Sequence, residues 1–106
     1  MFKETQAFLS EILRDAKYSE ESYWKFTDTC QRARFLFKPD IHSHLIEIRN
    51  RAGKMRMYQK ESDGLEPGTS RSALIDKQYV ELEWLNDQLD PLFDRFNPYL
   101  SFNEIS

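Results

Sequence analysis

The residues best equipped for chemistry lie near the middle of the chain, and their spacing argues against most of what they could do. His42 and His44 stand two positions apart. On a helix that separation turns them about 200° from each other, so they cannot share an ion. Asp40 and His44, four apart, could share one. A zinc site needs three or four Cys, His or carboxylate ligands, and no second cluster completes this pair. These histidines read better as surface groups at a helix start, and no metal is expected. Cys30, the single cysteine, lies between Phe26 and Ala33 at helical spacing, the setting of a buried structural thiol and not of an activated nucleophile. Glu81, Glu83, Asp87, Asp90 and Asp94 form an acidic series without any histidine among them. A di-iron bundle would require Glu-x-x-His pairs, so the series reads as a solvated face. There is no glycine-rich phosphate loop, G-x-S-x-G elbow or H-E-x-x-H helix. No enzyme and no cofactor are expected.

Charge is the next source of specific behaviour. The net charge is −3, but residues 32–60 hold eight basic side chains against Asp40 and Glu47, a local balance of +6. Residues 61–106 hold three basic and ten acidic side chains, a balance of −7. Arg49, Arg56 and Lys60 could line one stripe, with Arg51 close by and Tyr58 available for stacking, as a nucleic-acid surface would require. Nucleic acid is nevertheless disfavoured as a partner, because the whole chain is acidic and its negative charge falls on the segment that should neighbour the basic one.

The elements that position these residues are helical. Only three glycines and four prolines are present, too little turn chemistry for a many-stranded β fold. The spacing predicts a first helix over about 2–17, with Phe2, Leu9, Ile12, Leu13 and Ala16 on one face. Ser19 suits an N-cap, with Glu20 and Glu21 following where the helix dipole favours carboxylates. The second helix then runs to about Phe37 on Tyr23, Phe26, Cys30, Ala33 and Phe37. Pro39 suits the first turn of a third helix, to about Glu61, whose Ile41, Leu45, Ile48, Ala52 and Met55 repeat at 4-3-4-3. Gly53 within it points to close helix packing. Residues 62–69 form the loop, and a fourth helix from Ser70 or Ser72 carries Leu82, Leu85, Leu89, Leu92 and Phe96. Pro91 either kinks that helix or sits at the first position of a fresh turn capped by Asp90.

The fold class expected is therefore all-α, one domain forming an antiparallel bundle of about four helices, the third and fourth paired through opposite charge. The stretch after Met1 has no apolar signal-peptide core, and no apolar run approaches the roughly 20 residues that span a bilayer. The cytoplasm is the expected location. The apolar face of the first helix leaves contact with a membrane surface open.

The string Ala33-Arg34-Phe35-Leu36-Phe37, with Pro39-Asp40-Ile41, Leu45-Ile46-Glu47-Ile48 and Arg51-Ala52, forms a recognisable pattern together with Trp84-Leu85, Gln88-Leu89, Phe93, Phe96 and Pro98-Tyr99-Leu100-Ser101-Phe102. Over about residues 18–103 it resembles a recurring uncharacterised bacterial helical domain. That domain often follows one or two membrane helices, and no apolar run in these residues is long enough to be one. The resemblance implies a helical interaction module with no active site to carry over.

Eight Phe, five Tyr and two Trp are many for so small a core, which points to a protein interface. The expected partner is another protein or a second copy, as a homodimer. The candidate interaction residues are Arg49, Arg51, Arg56, Phe35, Phe37, Tyr99 and Phe102. The last four fall in two apolar clusters next to prolines, and the C-terminal string is expected to fold back over the junction of the second and third helices. Removing residues 98–106 should then lower the melting temperature by well over a degree or two, as loss of two buried aromatics would.

Overall fold

The 4-3-4-3 repeat of the third helix becomes the axis of the molecule: Ile41, Leu45, Ile48, Ala52 and Met55 are all at most 2% exposed. In the computed structural model, which describes residues 2–36 and 39–105 (side chains for 2–35 and 39–98), the chain forms five helices and no strand among the described residues. They are α1 (Phe2–Asp15), α2 (Glu20–Leu36), α3 (Pro39–Asp63), α4 (Thr69–Asn86) and α5 (Leu89–Ile105).

Pairs of touching residues run in opposite directions along successive helices, which makes neighbours antiparallel. Phe8 stacks on Phe26 while Glu11 reaches Ser22, setting α1 against α2. Cys30 reaches the Leu45 carbonyl while Tyr23 lies beside Gly53, setting α2 against α3. His44 meets Gln88, Arg51 meets Glu81 and Ser62 meets Gln78, setting α3 against α4. The bundle closes where α1 packs along α4 and α5, with Phe2 against Phe93 and Phe96. The apolar face of α1 is thus spent inside: Phe8, Leu9 and Ile12 are buried, as is Thr5, while Leu13 is 42% exposed.

The turn between α1 and α2 is more tightly held than the sequence suggests. Helix α1 stops at Asp15, two residues short of expectation, because Ala16 turns into the left-handed region at φ 55°. Its amide still donates to the Ile12 carbonyl, and the Gln59 side chain donates to the Ala16 carbonyl. Ser19 caps α2 as its position predicted, accepting from the Ser22 amide at 3.0 Å. The Glu11 carboxylate accepts from the Ser19 amide and from the Ser22 hydroxyl, both at 2.9 Å. Tyr18, buried between the helices, donates to the Ala52 carbonyl and ties this turn to α3.

Two expectations need correction. The fourth helix is two helices, with the break at Asp87–Gln88. Pro91 has no amide to give the Asp87 carbonyl and its ring crowds that group, so the ladder is interrupted four residues upstream. There the Gln88 amide bonds the Leu85 carbonyl in a tightened turn, and the Leu92 amide bonds Gln88 to start α5. Pro91 is the third residue of α5, not its first. The second concerns the C-terminal string, expected to fold back over the α2–α3 junction: residues 97–105 continue α5 with Pro98 inside the helix. Phe35, expected beneath it, is 82% exposed. Phe37 and the side chains of Tyr99 and Phe102 lie outside the described residues.

Gly53 is also not a point of forced approach. A Cβ there would stand 3.5 Å from the Tyr23 hydroxyl, an ordinary contact. Gly53→Ala should therefore raise stability by about 0.5–1 kcal/mol, the cost of glycine in a helix interior. Chemical denaturation of the two proteins checks this, and a loss of stability would mean that the Tyr23 hydroxyl cannot tolerate the methyl.

Candidate functional site

The groups singled out for chemistry are separated by the fold and put to structural use. Asp40 pairs with Arg95 across α3 and α5 at 3.7 Å, while His44 is buried and bonded to Gln88 at 2.9 Å. Asp40 and His44 thus each have a partner on another element, and among the described residues no three His, Cys, Asp or Glu side chains gather to hold a metal. The expectation of a surface histidine fails at His44, which is 7% exposed, because its position on α3 faces α4 where Gln88 supplies a partner. The Gln88 amide nitrogen donates to the Trp84 carbonyl at 2.8 Å, so its oxygen faces the ring and His44 Nε2 is the protonated nitrogen.

One carboxylate of the acidic series also departs from expectation. Glu83, Asp87, Asp90 and Asp94 are exposed, but Glu81 is 8% exposed and accepts from Arg51 at 3.4 Å. Arg51 also bonds Glu47 and lies 4.5 Å over the Trp84 ring. Of the charge pairing between α3 and α4 that the sequence predicts, this cluster supplies one ion pair, Arg51–Glu81, since Arg51–Glu47 lies within α3. A half-buried bidentate-capable cation on an aromatic face holds better than scattered surface pairs.

The basic residues divide between two flanks of α3. Arg51 faces α4, with Tyr58 on the same side under Lys77. Arg56 faces the α1–α2 turn, 5.2 Å over the Tyr18 ring, and Arg49 lies near Cys30 on that same flank. Arg49, Arg56 and Lys60 do share a flank, as expected from their spacing, but Tyr58 is not among them. Arg49 and Arg56 are half-buried and Lys60 is exposed.

Aromatic side chains carry the most continuous arrangement in the molecule. Phe26, Phe8, Tyr18, Tyr23 and Trp24 form an unbroken series of ring contacts with centroids 4.6–5.7 Å apart. Its inner end is core and its outer end, Trp24, is 61% exposed. Beside Trp24 a groove of about 790 Å³ runs between α1 and α2, floored by Phe8 and Phe26, with Glu4, Glu11, Asp28 and Arg32 along its rim. Among the described residues, Phe35, Tyr79, Val80 and Phe93 are the other large exposed apolar side chains on helices α2, α4 and α5. Of the candidate interaction residues, Phe35 stands out into water. Trp24 was missed, although it sits one position off the Tyr23 register and the helical period alone places it outside.

No protein-family model, no curated protein and no solved structure matches the chain.

Cys30 is fully buried, its thiol directed at the Leu45 carbonyl at 3.5 Å. Burial pushes its pKa up from the ordinary 9.0 to about 12, against the weaker opposing pull of Arg49. Tyr18 is shifted in the same direction, also by burial. Both groups are held neutral in the folded chain, so their contribution to stability is complete below the ordinary values of 9.0 and 10.0 and declines as pH rises above them. Native protein at pH 8 should therefore label with a thiol reagent at least about a hundredfold more slowly than denatured protein. Melting temperature should fall between pH 8 and pH 11. Rapid labelling of the folded chain would show that Cys30 is accessible.

Proposed function

We propose that this chain is a helical protein-interaction module that assembles with a second copy of itself. The observation that carries the reading is the division of its aromatics. Phe8, Tyr18, Phe26 and Phe96 fill the interior, while Trp24, Phe35, Tyr79 and Phe93 are between 47% and 82% exposed. Rings of this size are costly to leave in water and are enriched where proteins meet, so an interface is the natural place for them. The interior polar groups support the same reading, since His44, Gln88, Arg51 and Glu81 are engaged in holding helices together. Such a module is also what the resemblance to the bacterial helical domain implies. No helix among the described residues is long and apolar enough to cross a membrane.

Sedimentation equilibrium at micromolar concentration tests this. A species near twice the 12.7 kDa chain mass is expected. A single 12.7 kDa species over the whole range would overturn the proposal.

A further inference from the structure

Helix α2 holds two of the large exposed rings, and their placement on it is ordered. Trp24 and Phe35 are 61% and 82% exposed. Eleven residues make three helical turns to within about 20°, so the two side chains leave the helix in the same direction about 16 Å apart. Asp28 and Gln31 stand on the same stripe between them, both exposed, while Phe26, Cys30 and Ala33 are buried on the opposite side. The stripe is therefore the outer face of α2.

The charges of that helix are divided along its length. Its first half carries Glu20, Glu21 and Asp28 against Lys25, and its second half carries Arg32 and Arg34 with no acid. The balances are −2 and +2. Its own ion pairs, Lys25–Glu21 and Arg32–Asp28, involve side chains more than half exposed, so they hold their partners weakly and can be rearranged at little cost.

We infer that the outer face of α2 is where a second copy of this chain docks, the two α2 helices lying antiparallel about a two-fold axis level with residues 28–31. This rests on the self-association reading above and names its surface. In that arrangement Trp24 of each copy lies against the partner's Phe35, and the axis makes the contact twice. The sense of the pairing follows from charge. Parallel helices would set like halves side by side, whereas antiparallel helices set each acidic half on a basic half and oppose the helix dipoles. The groove between α1 and α2 opens beside Trp24, over the Phe8 and Phe26 rings, and offers the partner's Phe35 an apolar wall.

The test is sedimentation equilibrium of the full chain and four variants, with helicity followed by circular dichroism. Trp24→Ala and Phe35→Ala should each raise the dimer dissociation constant by roughly tenfold or more, as central aromatic anchors do. Glu20→Lys with Glu21→Lys makes both halves of α2 basic, and Arg32→Glu with Arg34→Glu makes both acidic. Each double variant should be monomeric where the parent is dimeric, and an equimolar mixture of the two should dimerise again. All six substituted side chains are exposed; if an alanine variant loses helicity, Trp24→Gln and Phe35→Gln repeat the test with longer side chains. A parent dimer unmoved by both aromatic substitutions, or folded charge variants that stay monomeric when mixed, would overturn this surface and leave self-association standing. A parent that is only monomeric would overturn both.

Discussion

Five side chains on one stripe of α3 are almost wholly withdrawn from water, and α2, α4 and α5 pack directly against that helix. Ile41, Leu45, Ile48 and Met55 would each contribute about 1.5–3 kcal/mol on burial, a large share of the stability of a domain this size. Ala52 does the opposite service. With no bulk beyond its methyl, it lets the Tyr18 hydroxyl reach its own carbonyl at 2.6 Å, and so draws the α1–α2 turn down onto the middle of α3. The aromatic series from Phe26 to Trp24 is built on that anchoring. Move the turn, and the outer rings lose the inner ones they lean on.

Polar groups settle what apolar burial leaves undetermined. A hydrophobic stripe fixes which face of a helix is inside but tolerates sliding along the axis. Between α3 and α4 that freedom is removed at three heights, by Gln78 on Ser62, Arg51 on Glu81 and His44 on Gln88. The last of these is at the break before α5, so the same glutamine that pairs with His44 also begins the next helix through its carbonyl. A buried amide with both ends committed permits one register, because a shift by a turn would strand its donor and acceptor.

The parts legible in the sequence are those governed by local periodicity. The α3 stripe, the Ser19 cap, the buried thiol of Cys30 and the antiparallel pairing of α3 with α4 all follow from spacing, capping chemistry or loop length. The parts that were not legible depend on which flank of a helix meets which neighbour. His44 and Glu81 read as surface groups because nothing local announces Gln88 or Arg51 opposite them. The end of α1 at Asp15 was hidden for a related reason: alanine is an unusual left-handed residue, and the turn is held by the distant Gln59 and Ala52 together with Glu11. Pro91 announced an interruption, but the break falls where the missing bond would have been accepted. Of the candidate surface, the outward rings were foreseeable in number, and Trp24 in direction, while Phe35 was assigned to the wrong environment.

The seam between α1 and α5 is made by residues about ninety positions apart, Phe2 meeting Phe93 and Phe96. The α1–α2, α2–α3 and α3–α4 seams join helices next to each other in the chain and can form as soon as each hairpin exists, whereas α1 also meets α4, and α3 meets α5, across longer stretches. The α1–α5 seam demands that the whole intervening chain already be in place, which sets an order of assembly. During synthesis, α1, α2 and α3 can associate while α5 is still within the ribosome, but the core side of α1 facing α5 stays uncovered until the last helix emerges. The same geometry acts in reverse in the finished molecule. Opening at this seam, with loss of the Arg95–Asp40 pair to α3, would free α5 while the three hairpins keep their own contacts.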